Sequence, residues 1–196
     1  MTSSSGMAPL SAIDRAALLG VARAAVRARV GLGAEPTLPV TGPLAEPGGA
    51  FVTLRVNGEL RGCMGTFTPH GSLLATVARM AAAAASEDPR FPPVRPDEVD
   101  DLDLHVSVLG PRRPMRDPSE LTVGRDGVVI ELGWHRGALL PQVAVEEGWA
   151  AKTFLERTCL KAGLPPSAWR DPGAKVELFA AEDVGAERLD QARSGV

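Results

Sequence analysis

The chain has 196 residues, 44% of them hydrophobic, a formal net charge of −3 and two cysteines, which suits one substantial core and leaves little room for two full-sized domains. Its charges are scattered rather than blocked, and its longest apolar stretch, Met80 to Ala85, is far short of the roughly 20 residues of a membrane span. Nucleic acid and membrane are therefore not expected as partners.

From the amino end, residues 1–10 (MTSSSGMAPL) read as a flexible leader without the basic region and apolar core of a signal peptide, which implies a cytoplasmic location. Ser11 then precedes a run in which Ile13, Ala17, Val21 and Ala24 or Ala25 recur at three- and four-residue steps. With Asp14 placed to complete the cap, this predicts an amphipathic helix ending near Arg29. Glycines and prolines from Gly31 to Gly49 mark a long loop. FVTLRV, Asn57-Gly58 and ELRGCMGTF then give a strong hairpin signal, because both turn residues tolerate positive φ. SLLATVARMAAAAA, from Ser72 to Ala85, predicts a helix packed closely against a neighbour, and the prolines of SEDPRFPPVRP end it.

In DLDLHVSVL the alternation puts Leu102, Leu104, Val106 and Val108 on one face and Asp103, His105, Ser107 and Leu109 on the other. PRRPMRDPSELT leads, with a helical turn at its end, to a second hairpin of Gly127–Leu132 and Trp134–Leu140 about Gly133. Helices are expected over Gln142–Trp149 and Lys152–Ala162, the latter closed by Gly163, before a last strand KVELFA. Strands joined by hairpins, with few crossover units, give the α+β class: a mainly antiparallel sheet with flanking helices. The folded body is assigned to residues 11–181 and a C-terminal tail to residues 182–196.

The segment with the best case for chemistry is LRGCMGTF. Counting outward from a two-residue turn pairs Val56 with Glu59, Leu54 with Arg61 and Val52 with Cys63. Arg61 and Cys63 then share an apolar face at roughly 6.6–6.8 Å, where a guanidinium would favour thiolate. Gly62 and Gly65 flank the cysteine and suit either a close-approaching ligand or a bulge, and a bulge would undo this register. A small cysteine in a core strand explains the same residues equally well. In SEDPRFPP, Glu87, Asp88 and Arg90 cluster at a helix end, as an acid/base carboxylate pair or as a solvated terminus. The dipole disfavours carboxylates there, so something else is expected to hold them. His70, His105 and His135 show no metal-ligand spacing, Gly31-Leu32-Gly33 lacks a nucleotide fingerprint, and Cys159 fits an apolar helix face. No metal or cofactor is expected.

Together LRGCMGTF, SEDPRFPPV, DLHVSVL, GALLPQVAVEEGW and GLPPSAWRDP, in this order from about Leu18 to Phe179, resemble the AMMECR domain family. Met64 stands where the family's L-R-G-C-[I/V]-G run is aliphatic. Such domains are similar to the A component of the AmmeMemoRadiSam system, which implies a radical S-adenosylmethionine protein and a Memo-like protein as partners. The resemblance further implies two subdomains with the RGC segment near a cleft between them, but no settled reaction. It gathers Arg61, Gly62, Cys63, Gly65, Glu87, Asp88 and Arg90 into one site, with Ser107 and Gln142 as polar lining. Two functions follow. In one, Cys63 is the nucleophile of an enzyme acting on a small molecule, Arg61 orients an anion or thiolate, and Glu87 or Asp88 moves protons. In the other, the same surface of a non-catalytic module docks onto its partners or presents a ligand.

Overall fold

A computed structural model describes residues 9–37, 42–69 and 71–189; residues 1–8 of the expected leader, and His70, lie outside them. The described chain divides into two compact units, residues 9–109 with 182–189, and residues 110–181.

The first unit opens with α1 (Ala12–Arg29). Its cap is reciprocal: the Ser11 hydroxyl accepts from the Asp14 amide at 3.1 Å while the Asp14 carboxylate accepts from the Ser11 amide at 3.2 Å. The hairpin follows as β1 (Gly49–Val56) and β2 (Glu59–Thr66), with Asn57 at φ 52° and Gly58 at φ 82° making the turn. After it come α2 (Leu73–Ser86), capped by Ser72, and β3 (Leu102–Leu109). β1 is central, antiparallel to β2 on one side and β3 on the other. One face of these strands is sealed by Leu18, Ala22 and Val26 of α1 and by Leu74, Val77, Ala81 and Ala84 of α2, packed with Val52, Leu54, Leu104 and Val106. The alanines of α2 let its backbone come close to the strands, as their run in the sequence implies.

The hairpin register corrects the expected one. Arg55 pairs with Leu60 but Leu54 pairs with Gly62, so Arg61 is the extra residue of a bulge. Because side chains alternate along a strand, one inserted residue exchanges the faces of everything beyond it. Cys63 therefore pairs with Thr53 rather than Val52, and Gly62 takes the helix-facing position. A methyl group at Gly62 would lie 2.2 Å from the Ala84 carbonyl oxygen, so only glycine fits beneath α2.

The second unit contains β4 (Arg113–Pro114), β5 (Asp126–Leu132), β6 (His135–Leu139), α3 (Pro141–Glu146), α4 (Ala151–Lys161) and the first part of β7 (Lys175–Arg188). β5 is antiparallel to both β6 and β7, over a core of Val128, Ile130, Phe154, Leu155, Cys159 and Leu178. α4 ends as expected at Gly163, φ 74°, with the Leu164 amide donating to the Cys159 carbonyl at 2.9 Å and the Gly163 amide to Leu160 at 3.0 Å. α3 is shorter than expected because Gly148, φ 66°, turns the chain so that the Trp149 amide reaches back to the Ala144 carbonyl at 2.8 Å. β7 runs on through Arg188, so residues 182–188 of the segment read as tail are strand and belong to the first unit, while residues 190–196 lie outside the described residues. Its end is tied there by the Leu189 amide donating to the Leu102 carbonyl at 3.0 Å.

Replacing Gly62 by alanine is expected to cost about 1–3 kcal/mol in urea unfolding, because the obstacle is backbone and cannot swing aside. Gly20, inside α1 with nothing within 4 Å of a built Cβ, should instead gain about 0.5–1 kcal/mol on the same change. An unaltered unfolding midpoint for Gly62→Ala would remove the steric explanation of the bulge.

Candidate functional site

Three pieces of the first unit meet at the bulged edge strand. α2 ends at Ser86, and Glu87 caps it through its amide on the Ala83 carbonyl at 2.7 Å, leaving its side chain exposed. The chain then folds back, the Val94 amide donating to the Ala85 carbonyl at 2.7 Å. This return places Asp88 against β2, where one carboxylate oxygen accepts from the Cys63 amide at 2.9 Å. Arg90 closes the arrangement with a two-pronged grip, Nε to one oxygen at 2.9 Å and an Nη to the other at 2.7 Å, and its own amide adds a further bond at 3.1 Å.

The Asp88 side chain is only 3% exposed, so its charge depends on these donors. The Arg90 guanidinium, aided by the Cys63 and Arg90 amides, holds its carboxyl well below the usual range against the opposing effect of burial. Asp88 raises the pKa of Arg90 in return. Both oxygens of Asp88 are thus engaged and the group is ionised.

Arg61, the bulge residue, grips Glu98 with Nε at 3.2 Å and an Nη at 3.1 Å, and donates to the carbonyls of Pro92 and Pro93 at 2.9 and 3.3 Å. Glu98 also accepts from the Arg95 amide at 2.8 Å as the cap of a 3₁₀ turn, Pro96–Asp101. The Arg61 guanidinium holds the Glu98 carboxyl below its ordinary range. The guanidinium serves the PRFPPVR loop, which its place at the bulge allows and the unbulged register did not foresee.

On the strand face turned away from α1 and α2, three residues of paired strands form a row: Cys63 on β2, Thr53 on β1 and His105 on β3. All three are half-buried. The Thr53 hydroxyl donates to the Cys63 sulfur at 3.3 Å. The next row is Gly65, Phe51 and Ser107. The Phe51 ring lies over Gly65, where a Cβ would meet it at 2.2 Å, and stands edge-on to Phe67 at 5.5 Å between centroids. Ser107 is buried.

Of the residues singled out in the sequence, Cys63, Asp88 and Arg90 are thus joined by hydrogen bonds, with Gly62 and Gly65 adjoining. Ser107 shares the Cys63 face, and Arg61 is engaged with the loop. Glu87 is exposed at the helix end, and Gln142 lies on α3 of the second unit. Sequence reasoning missed Glu98, Thr53 and His105 as members. Glu98 carried a signal, a proline followed two residues later by an acid, as at the start of a capped turn; Thr53 and His105 emerge only once the register is known. Cys159 is fully buried in the second core, where burial pushes its thiol up. Among the described residues, no three His, Cys, Asp or Glu side chains gather as a metal site, and no helix is long and apolar enough to cross a membrane.

An α+β body with a bulged RGC strand clasped by a DPRF return is a specific constellation, and residues 19–184 match the AMMECR1 family model. The chain belongs to the AMMECR1 family. It is 44% identical over 183 residues to a protein of Methanothermobacter thermautotrophicus, covering 89% of this chain and 95% of the relative. It is 46% identical over 158 residues to Protein TK0174 of Thermococcus kodakarensis, covering 76% and 77%. The crystal structure of the uncharacterized protein PH0010 from Pyrococcus horikoshii superimposes with a TM-score of 0.80 at 42% identity, covering 85% of this chain and 88% of that one.

Because the Asp88 carboxyl is depressed in the folded state, its contribution is complete above the unfolded value near 4 and is lost as pH falls through the folded one. Asp88→Asn should therefore lower the stability measured by urea unfolding by about 1–3 kcal/mol at pH 7. The gap between parent and variant should narrow steadily below about pH 4. A gap independent of pH would show that the ionised pair is not what Asp88 contributes.

Proposed function

We propose that this chain is a thiol-dependent enzyme acting on a small molecule, working with a radical S-adenosylmethionine protein and a Memo-like protein. The carrying observation is the hydroxyl of Thr53 donating to Cys63 Sγ at 3.3 Å on a half-buried face, beside an amide pinned by Asp88. A nucleophilic sulfur bears negative charge as it attacks, and a hydroxyl already aimed at it stabilises that charge without rearrangement.

In this reading the roles drawn from the sequence are redistributed. Asp88, Arg90 and Arg61 position the strand, since their donors and acceptors are engaged within the chain. Glu87 is the exposed carboxylate at the helix end. Gly62 shapes the bulge, while Gly65 and Ser107, with Phe51, bound the surface a substrate would cover. The Cys63 amide is committed to Asp88, so it is no donor to the oxyanion of an acyl intermediate. Thiol addition to an electrophilic carbon, with the sulfur–carbon bond formed and the thiol proton delivered to the adduct, suits the site better than acyl transfer. The partners rest on the resemblance of the motifs to the A component of the AmmeMemoRadiSam system.

One observation favours the alternative, a non-catalytic module that docks or presents a ligand through the same surface. Arg61 and Asp88 serve local structure, and no carboxylate bonds to the thiol among the contacts described. Alkylation of the folded protein with iodoacetamide, followed by peptide mass spectrometry, separates the readings. The enzyme reading expects Cys63 to label readily and Cys159 to resist until unfolding. A folded chain in which Cys63 fails to label contradicts it. Docking is contradicted if a Cys63→Ala, Arg61→Ala chain captures both partners as tightly as the parent.

A further inference from the structure

The row Cys63, Thr53, His105 places a thiol and an imidazole on one face with a hydroxyl between them. Partners on adjacent antiparallel strands stand about 4.5–5.5 Å apart at Cβ, so a thiol and an imidazole two strands apart are separated by about 10 Å. That is too far for direct proton transfer and suits one intervening hydroxyl. Thr53 Oγ1 already donates to Cys63 Sγ at 3.3 Å, and a hydroxyl oxygen keeps lone pairs with which to meet a second group. Neither Asp88 nor Arg61 competes for the part, as both are engaged elsewhere.

We infer that His105 is the proton acceptor for Cys63, acting through the Thr53 hydroxyl, so that the thiol-dependent activity proposed above depends on a three-strand relay. The inference rests on that activity. The thiol proton passes to Thr53 Oγ1 as the hydroxyl proton of Thr53 passes to a ring nitrogen of His105. Cys63 ends as thiolate, Thr53 as neutral hydroxyl and His105 as imidazolium; no electrons leave and no further reactant is needed. The hydroxyl then donates to the sulfur, as Thr53 Oγ1 does at 3.3 Å. Among the described residues, the other charged groups on this face of β1 and β3 are Arg55, bonded to the Gly58 carbonyl at 2.9 Å, and Asp103. On β7, the Asp183 carboxylate accepts from the Gly185 amide at 2.9 Å. His105 is a positioning residue here, because it acts on the sulfur only through Thr53, its cross-strand partner.

The test is the rate of Cys63 alkylation by iodoacetamide as a function of pH, read on the Cys63 peptide, for the parent, His105→Gln, Thr53→Val and Thr53→Ser. The parent and Thr53→Ser are expected to label at similar rates near pH 7, and His105→Gln and Thr53→Val at least about tenfold more slowly. Thermal unfolding of each variant separates loss of the relay from loss of the fold, and Thr53→Ser keeps the hydroxyl should valine disturb the sheet. Superimposable profiles for parent and His105→Gln, with Cys63 reactive in both, overturn the relay and leave the enzyme reading standing. No labelling of the folded parent overturns both.

Discussion

A carboxylate withdrawn from water must have its oxygens met by donors, and in this protein that requirement falls on Asp88. Its side chain is almost completely covered, and the donors that keep it charged come from two directions: the guanidinium and amide of Arg90 in the same return, and the amide of Cys63 on β2. The bond to Cys63 ties the end of α2 to the edge strand of the sheet. Since the energetic cost of leaving an ionised group unpaired in the interior exceeds that of most single contacts, the return and the strand are obliged to keep this relation. The carboxylates that a helix C-terminus disfavours are separated accordingly: Glu87 stays in solvent, and Asp88 is held by partners stronger than the dipole.

The bulge at Arg61 is the second constraint, and the first depends on it. Gly62 must face α2 because the Ala84 carbonyl occupies the space any side chain would need. Placing glycine there and cysteine next turns Cys63 to the opposite face from Val52 and Leu54. The helix-packed face keeps its apolar residues, and the thiol joins Thr53 and His105 instead of an arginine. Arg61, displaced from the ladder, is released to bind Glu98 and two proline carbonyls. Those carbonyls lie outside regular structure and need donors, which the fork of a guanidinium supplies.

The two cysteines show how position governs one functional group. Cys159 sits in the second core with its thiol pushed up by burial, as its place on an apolar helix face had suggested. Cys63 lies half-buried with a hydroxyl at its sulfur. The family relation to archaeal proteins and the likeness to PH0010 define the family and the fold of the chain.

Local features were legible from the residues alone. The reciprocal cap of Ser11 and Asp14, the Asn57-Gly58 turn, the alanine helix, the alternation of β3 and the Gly163 stop each depend on neighbours a few positions away, so short-range sequence determines them. The α+β class and the family followed from the order of such elements and motifs. What tertiary structure alone decided was the parity of one strand and the partners of two charges. Strand alternation has period two, so a single extra residue, which no local pattern announces, reverses the face of Cys63. Glu98 and Cys63 become partners of Arg61 and Asp88 only when the return after α2 is folded onto β2, because packing against Ala84 and the need to satisfy a buried carboxylate act across the chain and not along it.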